Sequence, residues 1–414
     1  MTLPPYLYNN VNFIPGKTFI PYSGPYWDNR EIEAAVSTIL NGKWISAGEN
    51  VRSFEKAFSK KFNTKHSLMV NSGSSANLIM IAALKKYYGW ADGSEVIVSP
   101  AAFPTTVSVL HQNILRPVFV DIKWDTLNFD LNLLELKIGY KTKAIFLSPV
   151  LGNPPDIDRL VYLCDVYDIK LILDNCDSLG TKWNGGYLNK YCIASSNSFY
   201  AAHQICTGEG GMVCTDDDGL MNIMVSMAHW GRDCTCVGAQ NMSIKGSCGH
   251  RFGKWLDAYD GIVDHKYVFS NMGYNLKPLD LQGAIGLVQL EKFTEIEAKR
   301  KHSKAIIEKI VCRIPGVHRV QILKDADVCW FGTPFICEDG LKHRLVKHLE
   351  KHLIQTRNYF SGNILMHPGF KFLDDYRNYP KANKILDKVF FIGASPSYGN
   401  EIFDYIAEVI HKFK

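Results

Sequence analysis

Leu171-Ile-Leu-Asp-Asn-Cys-Asp-Ser-Leu-Gly180 begins as a short apolar run and turns acidic at Asp174. The run has the length and composition of a buried β-strand, so Asp174 is expected where that strand ends. In open α/β sheets, ligands bind at the carboxyl ends of the strands. Asp174 is therefore a candidate binding residue, although an Asp in this position also commonly caps the turn that follows it.

Runs of similar length and composition recur on both sides of this stretch, and patterns typical of helices separate them. The predicted strands cover 67–70, 95–98, 117–120, 144–147 and 170–173. Helices are predicted between them, for example over 75–88 and 156–167. This alternation predicts an α/β fold with a mostly parallel, doubly wound central sheet flanked by helices.

The pattern changes near Lys292, after which a charged helix and short strands replace the regular alternation. Helices are predicted over 295–311, 341–352 and 402–413, and strands near 316–322 and 332–336. We therefore expect a large α/β domain over residues 1–290 and a smaller C-terminal α+β domain over residues 291–414.

Composition excludes several classes of function. Of the 414 residues, 46% are hydrophobic, which is enough for a large core, and 46 Lys and Arg against 41 Asp and Glu give no electrostatic case for nucleic acid or an anionic membrane. The N-terminus has no signal-peptide pattern, and no apolar run is long enough for a membrane span. Eleven cysteines in a chain of this size fit reduced thiols in a cytoplasm better than a disulfide framework.

Two further segments carry groups suited to ligand binding. Asn71-Ser-Gly-Ser-Ser-Ala-Asn-Leu78 follows a predicted strand and opens a predicted helix, so its free backbone N–H groups and hydroxyls suit an anion. An ordinary serine-rich helix cap is the alternative. Ser196-Asn-Ser-Phe-Tyr-Ala-Ala-His-Gln-Ile-Cys-Thr-Gly-Glu-Gly-Gly-Met-Val213 reads as a strand, a loop and a glycine-rich turn into another strand.

Together these three segments resemble the DegT/DnrJ/EryC1/StrS family of fold type I, pyridoxal phosphate-dependent sugar-nucleotide aminotransferases. In that family the Schiff-base lysine lies five residues beyond the serine that is Ser198 here, and this sequence has His203 in its place. A histidine cannot hold the cofactor covalently. His203 thus resembles the base of the family's dehydratase branch, which uses pyridoxamine phosphate (PMP) and removes the 3-hydroxyl of a nucleotide-linked 4-keto-6-deoxyhexose.

The resemblance implies a role for each matching residue. Asp174 would hold the pyridine nitrogen protonated, and Phe103 would stack on the cofactor ring. The cofactor phosphate would contact Ser74, Ser75, Ser198 and the backbone at Ala76. Asn275 would reach the cofactor phosphate of a neighbouring subunit, which implies a homodimer. Asp177, Tyr200 and Phe331 resemble residues lining the pocket, with Tyr200 and Asp177 close to the reacting groups, and Trp44 and Arg357 resemble substrate-side residues.

Four cysteines resemble the iron–sulfur loop of the dehydratases that act on CDP-linked sugars, whose pattern is Cys-x57-Cys-x-Cys-x7-Cys. The matching residues are Cys176, Cys234, Cys236 and Cys248, three of them within a loop over residues 230–253. Eleven residues, not seven, separate Cys236 from Cys248. Four thiolates suit a [2Fe–2S] cluster or structural zinc, but one residue between two ligands is unusual for zinc.

The resemblance therefore implies a cytoplasmic, PMP- and [2Fe–2S]-dependent enzyme that removes the C3 hydroxyl of a 4-keto-6-deoxyhexose linked to CDP. Such an enzyme takes electrons from a flavin- and iron–sulfur-containing reductase and serves the biosynthesis of 3,6-dideoxysugars, as in lipopolysaccharide. The alternative is a cluster-free, glutamate-driven 3-dehydratase of a GDP- or TDP-linked sugar. A pseudo-enzyme, an aminotransferase using another lysine, and a regulatory or redox-sensing protein also stay open. Gln204 and Leu173 depart from the family pattern and leave the sugar preference open.

Overall fold

The computed structural model describes residues 13–42, 44–234 and 249–414. The helices in these ranges are α1 Asn29–Asn41, α2 Glu49–Phe62, α3 Gly73–Tyr87, α4 Pro104–Gln112, α5 Leu131–Glu135, α6 Ile157–Val166, α7 Asp218–Ala228, α8 Asp280–Val311, α9 Leu341–Lys351, α10 Ile385–Lys388 and α11 Asn400–His411. The strands are β1 His66–Val70, β2 Glu95–Val98, β3 Arg116–Phe119, β4 Thr142–Leu147, β5 Lys170–Asp174, β6 Lys182–Trp183, β7 Gly186–Tyr187, β8 Ala194–Ser198, β9 Gly211–Thr215, β10 Phe252–Gly253, β11 Val263–Asp264, β12 Val317–Arg319, β13 Ala326–Asp327, β14 Gly332–Cys337, β15 Thr356–Asn358 and β16 Val389–Gly393.

A seven-stranded sheet forms the centre of the large domain, with strand order β1-β9-β8-β5-β4-β2-β3. The pairs β2–β3, β2–β4, β4–β5 and β5–β8 are parallel, and β9 is antiparallel to both of its neighbours. The expected mostly parallel sheet is therefore confirmed. Because β5 and β8 are neighbours in register, the loops that follow Asp174 and Ser198 leave the same edge of the sheet.

Alternating side chains of the sheet enter two hydrophobic cores, as a strand buried on both faces requires. Ala144 and Phe146 of β4 pack with α3, α4 and α7, whereas Ile145 and Leu147 pack with α5 and α6. A third cluster joins α2 and α8 to Phe199, directly beyond β8. Helices therefore cover both faces of the sheet and leave its edge, where the strands end, available for a site.

The C-terminal part builds a four-stranded antiparallel sheet with strand order β12-β14-β16-β15. Its core combines the end of α8 with α9 and α11. The helix α8 runs without interruption over 32 residues, so the expected domain boundary at residues 290 and 291 lies inside it. None of the described helices combines the length and apolar character needed to cross a bilayer.

Candidate active site

Asp174 is the last residue of β5, and three donors hold its carboxylate, with a fourth, Ser196 Oγ, at 3.5 Å from Oδ1. Oδ2 accepts hydrogen bonds from Asn77 Nδ2 at 2.9 Å and from Thr106 Oγ1 at 2.7 Å. Oδ1 accepts from the backbone N–H of Cys176 at 3.2 Å. Ser196 Oγ in turn donates to Asn77 Oδ1 at 2.5 Å, so the amide of Asn77 is oriented as well. The carboxylate is buried but fixed in direction, which suits recognition of a positively charged ring nitrogen.

The amino end of α3 lies beside Asp174 and has the features of an anion cradle. Ser72 caps the helix by accepting a hydrogen bond from the N–H of Ser75. Ser74 Oγ donates to Thr105 Oγ1 at 3.2 Å. A Cβ added at Gly73 would lie 2.5 Å from Ser198 Cβ, so only glycine allows the loop after β8 to approach the helix this closely. Free N–H groups and the hydroxyls of Ser74, Thr105 and Ser198 therefore converge at the positive end of α3.

A cavity of about 540 Å³ opens above these groups. Ten of the residues expected in the site line it: Ser74, Phe103, Asp174, Cys176, Asp177, Ser198, Tyr200, His203, Phe331 and Arg357. They come from the loops beyond β5 and β8, from the starts of α3 and α4, and from the small domain. The cavity thus lies at the carboxyl edge of the parallel strands, and Arg357 of β15 reaches it from the four-stranded sheet.

His203 lies in the loop after β8, with its imidazole against Phe331. The two ring centroids are 5.0 Å apart, and the side chain of His203 is 12% exposed. Nδ1 is buried without a hydrogen-bond partner in the described chain. Burial lowers the pKa of His203 to about 3, and the positive charge of Arg300 adds to that effect. The imidazole is therefore neutral near pH 7.

Asp177 faces His203, with Oδ1 at 3.8 Å from Nδ1 of the ring. Its Oδ2 accepts a hydrogen bond of 3.0 Å from the N–H of Leu151, a residue in the left-handed region at φ 55°. Burial raises the pKa of Asp177 to about 8, against the lowering effect of the Leu151 hydrogen bond. A neutral histidine and a protonated carboxyl do not form an ion pair at pH 7, despite the separation being within ion-pair range.

Four expected residues lie outside the cavity lining. Ser75 and Ala76 lie in the first turn of α3. The hydroxyl of Ser75 contacts that of Ser72, the residue that caps the helix, and Ala76 is fully buried. Trp44 is 40% exposed, and Asn275 pairs through its backbone with His229. Within the described residues, these side chains do not converge on the group formed by Asp174 and His203.

The four expected metal ligands are only partly described. Cys176 lines the cavity, and burial raises the pKa of its thiol well above the usual value, with the nearby Asp174 charge adding to the shift. Cys234 is buried and lies six residues beyond the end of α7. Cys236 and Cys248 lie outside the described residues. Over 13–42, 44–234 and 249–414, no group of three or more His, Cys, Asp or Glu side chains could hold a metal ion.

The sequence interpretation missed several residues that shape the site. Asn77 and Thr106 hold Asp174 across separations of 97 and 68 residues. Tyr22, Glu209 and Phe360 also line the cavity. Asn77 lies in the Asn71–Leu78 segment, one helical turn beyond Gly73. Its amide, placed on the first turns of α3, is the sequence signal that could have identified it as a partner of Asp174.

The donor set fits a planar, phosphorylated pyridine. Asp174 provides an oriented carboxylate, Phe103 provides a ring that is 47% exposed at the cavity, and the start of α3 with Ser74, Thr105 and Ser198 provides an anion site. In the described chain, no lysine lines the cavity. The residues present can therefore hold such a cofactor by hydrogen bonds, charge and stacking, without a covalent bond to the protein.

Comparison with known proteins gives concordant matches. A model described as the DegT/DnrJ/EryC1/StrS aminotransferase family matches residues 27–411. The lipopolysaccharide biosynthesis protein RfbH of Salmonella typhimurium is 35% identical over 413 residues, covering 97% of this chain and 93% of that protein. The dTDP-4-dehydro-2,6-dideoxy-D-glucose 3-dehydratase of Saccharopolyspora spinosa is also 35% identical, covering 97% of this chain and 88% of that enzyme.

A solved structure agrees with these matches. The GDP-4-keto-6-deoxymannose-3-dehydratase with a trapped PLP-glutamate geminal diamine superposes with a TM-score of 0.82 at 30% identity, covering 95% of this chain and 100% of that one. The expected fold type I architecture is thereby confirmed, together with the recognition made from three sequence segments. This chain belongs to the DegT/DnrJ/EryC1/StrS aminotransferase family.

Proposed function

We propose that this protein is a PMP-dependent 3-dehydratase of a nucleotide-linked 4-keto-6-deoxyhexose. The observation that carries the proposal is His203, which occupies the position of the family's lysine and faces a cavity that otherwise suits the cofactor. Two similar proteins are named as 3-dehydratases of 4-keto sugar nucleotides, one linked to dTDP and one to GDP. The chemistry assigned here is loss of the hydroxyl at sugar C3.

In this proposal the part of the cavity beside Asp174, the cofactor end, binds PMP. The part beside His203, the reacting end, carries out the proton transfer. Asp174 binds the ring nitrogen of PMP, Phe103 packs on its ring, and Ser74 and Ser198 bind its phosphate. When bound, PMP supplies an amine for the 4-keto group and an electron sink. Tyr200 and Arg357 are exposed residues of the cavity lining, and we assign them to contacts with the sugar nucleotide.

His203 is the general base. Nδ1 is enclosed beside Asp177, so we assign the proton transfer to Nε2. The lowered pKa keeps the ring in the unprotonated form that a general base requires. A proton gained at Nε2 places a positive charge near the Asp177 carboxyl and favours its ionised form, which in turn stabilises the imidazolium.

The source of the reducing equivalents has two candidates. The first is glutamate, without a cluster, and it is supported by the similar solved dehydratase, which carries glutamate on its cofactor. The second is a [2Fe–2S] cluster fed by a reductase, with a CDP-linked sugar as substrate. The spacing of Cys176, Cys234 and Cys236 supports it, as does the position of Cys176 in the cavity. We rank glutamate first, because a solved dehydratase similar to this chain carries glutamate on its cofactor.

We further propose that two copies of the chain associate. Asn275 does not line the cavity of its own chain, and exposed apolar side chains occur in the segments that precede Ser46 and Leu279, which a backbone bridge joins. These side chains include Ile39, Leu40, Ile45, Met272 and Tyr274. Light scattering on the purified protein tests this association, and a monomeric mass at micromolar concentration would contradict it.

Purification under anaerobic conditions, followed by analysis of PMP, iron, acid-labile sulfide and zinc, tests the function. The protein is then incubated with GDP-, TDP- and CDP-4-keto-6-deoxyhexose, with glutamate or with a reductase, and products are analysed by mass spectrometry. A 3-deoxy product formed with glutamate and without iron supports the first candidate. Stoichiometric iron and sulfide, lost in Cys176→Ser, would shift the assignment to the second. An amino sugar as the main product would overturn the dehydratase assignment.

A further inference from the structure

Arg300 is a buried cation on the long helix α8. It is fully buried, yet none of the ion pairs found among the described residues includes it. Its Nε has no hydrogen-bond partner in the same part of the chain. An arginine without a carboxylate is costly to bury. Its position therefore needs a reason beyond filling the core.

The guanidinium binds four backbone carbonyls from two different segments. Nη2 donates to the carbonyl oxygens of Ala202 at 2.9 Å and His203 at 2.8 Å. Nη1 donates to those of Trp330 at 3.4 Å and Phe331 at 3.2 Å. One planar group thus joins the loop beyond β8 to the entry of β14 in the small domain.

These two segments carry the side chains that meet at the reacting end of the cavity. The ring of His203 packs against the ring of Phe331, at an interplanar angle of 50°. Gln204 reinforces the same junction, since its Nε2 donates to the carbonyl oxygens of Asp177 at 2.6 Å and Cys329 at 3.2 Å. Arg300 therefore holds the backbone at His203 directly. The side chain of Gln204, the next residue, ties the same loop to Asp177 and Cys329.

We propose that Arg300 is a positioning residue that fixes the direction in which His203 presents its imidazole to the cavity. This inference rests on the proposed function of His203 as a base. A guanidinium suits the task because its rigid fork holds several acceptors in one plane, whereas an ammonium acts as a point donor. Arg300 touches neither cavity nor substrate; it acts through the backbone of His203 and through Phe331.

The test compares Arg300→Lys and Arg300→Met with Lys292→Met. Lys292 is the matched control because it is also a buried cation on α8, but it pairs with Glu31 at 2.5 Å, away from the cavity. In Arg300→Met we expect kcat to fall by about 10- to 100-fold, as for a displaced catalytic group, with KM for the sugar nucleotide within about threefold of the original. Arg300→Lys should recover part of the loss. Lys292→Met should lose thermal stability with kcat unchanged.

Absorbance and circular dichroism of the bound cofactor report whether the cavity is intact in each variant. An unchanged kcat in Arg300→Met would overturn the proposal. A similar fall in kcat and in cofactor affinity, with a similar rise in KM, in both Arg300→Met and Lys292→Met would also overturn it, because such changes would indicate a purely structural role.

A second readout does not depend on the reaction. The NMR signal of the His203 ring, assigned in ¹³C-histidine-labelled protein with a His203→Asn variant, should shift in Arg300→Met and stay in place in Lys292→Met. If the original protein shows no dehydration but this signal shifts, the proposed function fails and the positioning role stands. If dehydration occurs and the signal stays in place in Arg300→Met, the positioning role fails alone.

Discussion

Asp174 and His203 face the same cavity but are held in opposite ways. The carboxylate of Asp174 accepts hydrogen bonds from two side chains and one backbone N–H, and one of those side chains is itself fixed by Ser196. The enclosed Nδ1 of His203 has no hydrogen-bond partner among the described residues, and its backbone is fixed instead. At the cofactor end, hydrogen bonds thus fix the Asp174 side chain itself. At the reacting end they fix the backbone of His203 and leave its imidazole to exchange a proton.

The largest expected effect is at the reacting end. His203→Asn should lower kcat for C3 dehydration by about 10²- to 10⁴-fold, because a positioned general base is lost. Cofactor affinity, followed by absorbance titration, should stay within about threefold of the original, since the groups that bind it are elsewhere. Retention of more than a tenth of the activity would contradict the assignment of the base.

Next in size is the loss of the anchoring carboxylate. Asp174→Ala leaves the donors of Asn77 and Thr106 unpaired in a buried site, which costs about 1–3 kcal/mol of unfolding free energy. The affinity for PMP, measured by equilibrium dialysis, should fall by more than tenfold. Equal affinity in this variant and in the original would show that Asp174 does not hold the cofactor.

A smaller effect is expected for a residue that only orients Asp174. Thr106→Val keeps the shape of the side chain but removes one hydrogen bond to a charged group, worth about 1–3 kcal/mol. Urea unfolding of the cofactor-free protein measures the loss. The kcat of the loaded enzyme should change less than in His203→Asn, and a larger change would mean that both ends of the cavity act as one unit.

The smallest effect concerns Glu55 of α2, which accepts a hydrogen bond of 2.8 Å from the N–H of Met69 in β1. Burial raises the pKa of Glu55 to about 7, from 4.5 in the unfolded chain. The protonated form is therefore favoured by folding, and its contribution to stability is present below pH 4.5 and is lost as pH rises through 7. Glu55→Gln should unfold at a higher temperature than the original at pH 8, and the difference should shrink as pH falls to 4.5. A pH-independent difference would contradict this account.

Sequence patterns predicted the large sheet well, because its strands are apolar runs bounded by turns and separated by regular helices. The boundaries of β2 matched, and β1, β4 and β5 were within two residues. The small domain was predicted less completely. β15 has only three residues, two of them exposed, so it has no detectable periodicity. β16 is fully buried, and its apolar run was a signal that the sequence interpretation did not use.

In the site, local motifs located the groups that follow a strand or open a helix, such as Asp174 and Ser74. His203 was identified as the candidate base only through the resemblance to the family, in which its position carries the Schiff-base lysine. Contacts between distant segments could not be predicted in this way. Thr106 reaches Asp174 over 68 residues, and Arg300 reaches Ala202 over 98. Side chains of this kind have no local pattern, since only the packed fold brings them to their partners.

The continuous α8 has a mechanical consequence. At 1.5 Å per residue, its 32 residues form a rod of about 48 Å that belongs to the cores of both domains. A hinge between the domains would have to break hydrogen bonds inside this rod. Phe103 and Tyr200, each 47% exposed and both lining the cavity, are side chains whose rotation can admit a substrate without any change in α8.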